Sequence, residues 1–199
     1  LWTVAAYGFG TRRPWAWPLA VVASVMALQS SFFPMIPPVT RDLPPYSGLI
    51  FLPSLVLYGV LLSLVRRVDW RIMIVSLFSG IAMVLSFMNG VASTNKIIVT
   101  GLSLFVAVQR LNWVAAIGWG IFTAGLLIKP KEWVRVVGIG AGLLEIAVGF
   151  PLGIATTLEA GRFSMFLPAP LLSLGLLTLL ILPWGRKVAP RLKPTAVQA

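Results

Sequence analysis

Cysteine and histidine are both missing from the 199 residues, and each blank removes a class of chemistry. Bis-histidine haem, thiolate-held iron–sulfur clusters and zinc or copper sites need ligands this chain does not have. A Ser-His-Asp or Cys-His nucleophile and a histidine pH switch are excluded for the same reason. The expectation is a protein with no metal, haem or iron–sulfur cofactor, while bound lipid stays compatible. Asparagine and glutamine number three each, a scarcity that with the lack of cysteine suits a thermophile. Charge is scarce too. Charged residues make up 11% of the chain, five acidic against sixteen basic, where a soluble domain carries about a quarter. A soluble globular domain, a disordered chain and a secreted disulfide scaffold are excluded together.

What fills the chain instead is apolar: 58% of residues, with a mean hydropathy of +0.94. A spanning helix needs roughly 20 apolar residues. The runs of that kind are Ala16–Ile36, Ser47–Val65, Ile72–Met88, Ile97–Ile128, Val136–Leu158 and Phe163–Trp184. They predict an all-α fold, a polytopic integral membrane helical bundle of six transmembrane helices. It forms one domain over 1–185, followed by a basic cytoplasmic tail at 186–199. The fourth run holds 32 residues with Gln109-Arg110 near its middle. Its first half is about 20 Å long as a helix, short of the roughly 30 Å hydrocarbon core. The pattern therefore predicts a strongly tilted helix or a broken pair, packed inside the bundle where irregular backbone is covered. Leu1–Gly10, just ahead of Thr11-Arg12-Arg13, reads as the end of an earlier span, and a basic pair after the first apolar stretch is not a signal-peptide layout.

The formal charge of +11 and pI near 11.4 would suggest nucleic acid in a soluble protein. Here the basic residues lie between apolar runs and read as orientation signals, so no nucleic acid is expected. With six spans, 12 of the 16 basic residues fall on one side, from Arg12, Arg13, Arg66 and Arg67 to Arg191 and Lys193. That side is cytoplasmic by the positive-inside rule and holds both termini. Seven spans, the alternative, would move Lys129, Lys131 and Arg135 outside. Trp15, Trp17, Trp70, Trp133 and Trp184 border the same clusters, as headgroup-level indoles do. The first outer loop is rich in proline (Pro34, Pro37, Pro38, Pro44, Pro45) and reads as a rigid connector. An internal repeat is also suggested. Phe33-Pro34 precedes Phe51-Leu52-Pro53 much as Phe150-Pro151 precedes Phe166-Leu167-Pro168.

Glu145 is the one acidic residue deep in a predicted span. Gly138, Gly142, Gly149 and Gly153 fall within about 60° of one another at 100° per residue, with Glu145 beside them. Such a small-residue stripe is a helix-packing face, so the carboxyl points into protein. Arg110 is the expected partner, because a lone charge near the bilayer centre costs about 2.5–3.5 kcal/mol on insertion scales. Counted from Ile97 and Leu158, Arg110 and Glu145 share a depth of about 20 Å. The pair reads either as a helix lock or as a site for an ion, a proton or a polar group, with Gln109 and Asn112 able to add neutral hydrogen bonds.

Ser93, Thr94 and Lys96 fall short of a Ser/Lys hydrolase, since Lys96 reads as solvated at a helix start and a base must be desolvated to lose its proton. Asp42 and Asp69 read as loop counter-ions. Phosphate-cradling glycine loops and acid-rich metal motifs are missing. The expected function is therefore subtractive: a non-catalytic integral membrane subunit, in contact with the lipid bilayer and packed against other membrane subunits. The alternative is a small transporter or substrate-binding transport component with a buried Arg110/Glu145 site.

Overall fold

The computed structural model describes residues 1–35, 44, 46–65, 67–128 and 131–182. All regular structure among them is helical. The described residues form seven α-helices in order: α1 (Trp2–Gly10), α2 (Ala16–Phe32), α3 (Gly48–Val60), α4 (Trp70–Thr100), α5 (Ser103–Ile128), α6 (Glu132–Ala160) and α7 (Pro168–Ile181). A 3-10 turn, Phe33–Met35, extends α2, and a π-helical turn, Leu61–Val65, extends α3. Five of these stretches are long and apolar enough to cross a membrane: Ala16–Met35, Gly48–Val65, Trp70–Thr100, Ser103–Ile128 and Glu132–Glu159; α7 is a shorter apolar helix.

Apolar side chains fill the core and also cover much of the surface, unlike those of a water-soluble protein. Leu49, Ile98 and Leu158 are each more than 70% exposed, while Ser24, Ser76, Ser79, Ser86 and Ser173 are buried. In lipid, side chains of the hydrocarbon type face the solvent, and small or weakly polar ones draw the helices together. Each buried serine hydroxyl that donates to its own helix loses little by leaving water; Ser24 Oγ, for example, donates to the Val21 carbonyl at 2.8 Å.

Packing divides the chain into two compact units, 1–73 and 74–199, where the sequence reads as one domain. In the first unit, Gly8 of α1 lies against Trp15 and Ala16, so close that a Cβ would sit 2.7 Å from the indole. The turn between α1 and α2 takes Arg12 to a positive φ of 52°, and Thr11 Oγ1 closes α1 by donating to the Tyr7 carbonyl. Phe32 and Phe51 join α2 to α3 with ring centroids 5.8 Å apart. Asp69 Oδ1 accepts from the Arg71 backbone N–H at 2.9 Å, so this acid caps α4 as well as balancing local charge. Trp15, Trp70 and Trp133 are exposed, whereas Trp17 is buried and is no headgroup anchor.

In the second unit the helix boundaries correct the expected spans. The third run does not stop at Met88; α4 continues to Thr100. The fourth begins at Ser103 and is a regular helix of 26 residues, neither broken nor over-long. The break falls at Gly101, whose φ of +68° suits a residue without Cβ, and Thr100 Oγ1 accepts from the Leu102 N–H. Thus Ile97–Thr100 belongs to the preceding helix, which removes the length problem. The last run begins at Pro168 with proline at the helix start, after a turn at 161–167, and its end at 183–184 lies outside the described residues. So do the basic tail 186–199, Arg66, Lys129, Asp42 and most of the proline-rich loop.

The suggested repeat does not extend to the proline roles. Pro34 sits in the 3-10 turn that ends α2, but Pro151 lies inside α6, which continues beyond it. Pro53 is inside α3 and Pro168 opens α7.

Candidate functional site

The glycine stripe of α6 meets two helices at once. A Cβ on Gly138 would lie 2.6 Å from the Phe122 ring, and one on Gly142 would lie 3.3 Å from Leu177. Gly149 faces Pro170 and Gly153 faces Leu167. From the α5 side, Gly118 rests on Ala141 and Gly125 on Val134. These contacts set the register, with residue 118 opposite 141 and 125 opposite 134. On the other side of α5, Trp113 covers Gly90 and Met83 covers Gly120. The hydroxyls of Ser79 and Thr123 share a hydrogen bond of 2.7 Å between the same two helices.

Polar groups occupy the seam so formed. Ser76, Ser79, Ser86, Asn89 and Ser93 are all buried on one face of α4, at spacings of three, seven, three and four residues. Trp119 Nε1 donates to Ser173 Oγ at 3.2 Å, joining α5 to α7. Beside Asn89 in the seam lies Glu145, which is fully buried. Asn89 Nδ2 donates to its Oε1 at 3.3 Å and to the Phe166 carbonyl at 3.1 Å. The Ser86 hydroxyl faces the same carboxyl but does not reach it in hydrogen-bond geometry.

Glu145 Oε2, Ser86 Oγ and Asn112 Oδ1 are all buried without a hydrogen-bond partner among the described residues. Asn112 is fully buried, and its Nδ2 donates to the Val108 carbonyl. By the register of the glycine contacts, Asn112 is level with Gly90 on α4 and with residue 147 on α6. Asn89 and Ser86 thus lie beside the carboxyl, whereas Asn112 stands one helical turn from the level of Ser86.

Arg110 is not beside the carboxyl. It is exposed, and among the described residues it makes no ion pair with Glu145; Lys96 and Glu159 form the ion pair seen there, at 2.6 Å. The reason is angular and axial. Arg110 and Asn112 are 200° apart on the helix, so burying one turns the other outward. The register also places residue 110 opposite 149, one helical turn along α6 from Glu145. The expected Arg110/Glu145 lock is thus two separate features. Gln109 likewise faces away from the carboxyl, its Nε2 donating to Thr94 Oγ1 at 2.6 Å.

Set beside known protein families, curated proteins and solved structures, the chain matches none.

The remaining candidates lose their chemistry to local partners. Ser93 Oγ donates to the Asn89 carbonyl at 2.7 Å and is buried. Lys96 lies within α4 rather than at a helix start, held by a carboxylate. Both residues of that ion pair also line an apolar groove of about 480 Å³, together with Leu104, Val108, Leu111, Val148, Pro151 and Ala155 among others. Among the described residues no three His, Cys, Asp or Glu side chains gather. The sequence signal for Glu145 and its glycines was a helical period, and it was sufficient. The α4 stripe carries a comparable signal, small polar residues three, four or seven apart within an apolar run, and it is what sequence reasoning overlooked.

Proposed function

We propose that this chain is a non-catalytic integral membrane subunit, with six spans and both termini on the cytoplasmic side, that packs against partner subunits through the outward face of α5. The observation that carries this reading is Arg110. It stands exposed on that face, about 10 Å inside the helix start at Ser103, and makes no ion pair among the described residues. Exposed Val114 and Ile117 continue the face. A guanidinium at that depth is costly against lipid alone, and a carboxylate on a neighbouring subunit would offset the cost. The apolar groove between α5 and α6 suits a lipid acyl chain at the same interface.

Photo-crosslinking in native membranes tests the reading, with the probe at Val114 or Ile117 and, as a control, at Leu174. A single polypeptide joined from α5, lost in Arg110→Met and recovered in Arg110→Lys, is the expected result. Adducts to lipid alone, unchanged in Arg110→Met, would overturn it. The second reading, a small transporter or substrate-binding component, is favoured by the unpartnered oxygens around Glu145, and it requires a ligand beside that carboxyl.

A further inference from the structure

We infer that the groove between α5 and α6 seats one zwitterionic phospholipid, with an acyl chain along the groove, its phosphate on Lys96 and a primary ammonium on Glu159. The inference extends the lipid contact named above to a headgroup. It does not rest on a partner subunit, because every residue it uses lies between 96 and 159 of this chain.

The groove is long, apolar and charged at one end only. The contacts of Gly118 with Ala141 and of Gly125 with Val134 run α5 and α6 antiparallel. That register sets Leu104 opposite Ala155 and Leu111 opposite Val148. From Ala147 to Glu159 the α6 wall is about 18 Å long. This is a little more than half of the roughly 30 Å hydrocarbon core, so the groove has the reach of one leaflet. Its volume of about 480 Å³ is that of a small-molecule site. Three polar side chains line it, Lys96, Thr156 and Glu159, and the Thr156 hydroxyl is taken by the Leu152 carbonyl. Lys96 and Glu159 both lie within the last turns of their helices. An apolar slot with charge at its mouth fits an amphiphile.

Headgroup charge then selects the lipid. Every phospholipid offers an acyl chain, and the surrounding bilayer is as apolar as the groove, so the slot alone discriminates nothing. Lys96 Nζ donates to Glu159 Oε2 at 2.6 Å. An ammonium carries three donors and a carboxylate two acceptor oxygens, which leaves two N–H groups and Glu159 Oε1 for a ligand. The side chains of Lys96 and Glu159 are 26% and 66% exposed, so a headgroup reaches both without breaking the pair. A phosphate on Lys96 and an ammonium on Glu159 would lay a second ion pair antiparallel to the first, the four charges alternating in sign and summing to zero. Both new contacts are charge-assisted hydrogen bonds. An anionic headgroup would leave Glu159 facing negative charge, and a choline has no N–H to donate to it.

Competition between lipids tests the inference. The full chain in detergent micelles receives phosphatidylethanolamine, phosphatidylcholine and phosphatidylglycerol of identical acyl chains, and native mass spectrometry counts the lipid retained. One phosphatidylethanolamine per chain is expected, preferred about two- to fivefold over either competitor, the range that exposed ion pairs supply. Glu159→Gln leaves Lys96 as the sole charge at the mouth and should move the preference to phosphatidylglycerol. Ala155→Phe places a ring in the slot and should abolish the single retained lipid of every type; the Glu159→Gln comparison stands if that variant does not fold. Phosphatidylcholine or phosphatidylglycerol held as tightly as phosphatidylethanolamine by the parent chain, a preference unchanged in Glu159→Gln, or a lipid still retained by folded Ala155→Phe would overturn the inference. None of these outcomes bears on the crosslink from Val114 or Ile117, so a failure here and a failure of the subunit reading are told apart.

Discussion

Adding one methyl group to α6 at two positions two residues apart should have opposite results. Gly138 is buried; a Cβ there would meet Phe122 Cδ2 at 2.6 Å, Phe122 Cε2 at 2.9 Å and Leu180 Cδ1 at 3.0 Å. Carbon atoms prefer about 3.5–4.0 Å, so the ring would have to retreat by roughly 1 Å. It has nowhere to go. Phe122 is fully buried and stands edge-on to Trp119 at 5.7 Å, which is itself held by Ser173. Gly140, by contrast, has nothing within 4 Å of its Cβ position. Both substitutions gain the same helix propensity, nominally about 0.8–1.0 kcal/mol. Their difference therefore isolates the steric term, and overpacking costs about 1–3 kcal/mol. Gly138→Ala should unfold that much more readily than Gly140→Ala in mixed micelles, with the denaturant slope unchanged. Coincident curves, or a more stable Gly138→Ala, would refute the close approach of α5, α6 and α7 on which the site's geometry depends.

Three other perturbations follow from the same contacts. In a double-mutant cycle, Arg110→Met and Glu145→Gln should add within about 0.3–0.5 kcal/mol; a direct buried pair would instead show strong coupling, with the loss of one partner costing about 3–5 kcal/mol. Ser79→Ala removes the hydroxyl link to Thr123 and should cost about 0.6 kcal/mol, the mean for such bonds within membranes, read in the same unfolding assay. Glu159→Gln, at the exposed ion pair with Lys96, should change stability by no more than about 1 kcal/mol, and any effect should shrink in high salt.

The bundle was legible because lipid selects for composition. Helices α2 and α3 with their terminal turns, and α6, start or end within a few residues of the apolar runs. The glycine stripe was legible because 3.6-residue periodicity survives in any solvent. The end of α4 was not. Ser93-Thr94-Asn95-Lys96 reads as a loop by polarity, yet each of three side chains finds a partner along or across helices: Ser93 on the Asn89 carbonyl, Thr94 on Gln109 and Lys96 on Glu159. With those groups satisfied, the helix continues until Gly101 turns it. The misplaced boundary then propagated into function. Depth counted from Ile97 put Arg110 level with Glu145, whereas α5 begins at Ser103 and its burial direction is set by Asn112. Sequence shows which residues are able to pair; the angular phase of each helix decides which do.

Asn89 gives one amide group to two acceptors, the Glu145 carboxyl inside the bundle and the Phe166 carbonyl in the turn before α7. Its two N–H groups serve both at once, so the turn before α7 and the buried carboxyl are tied through one side chain. Linkage makes that relation reciprocal: whatever holds the carboxyl also biases the turn, and whatever grips the turn alters the hold on the carboxyl. A turn at one end of the bundle is thereby linked to a carboxyl that solvent does not reach.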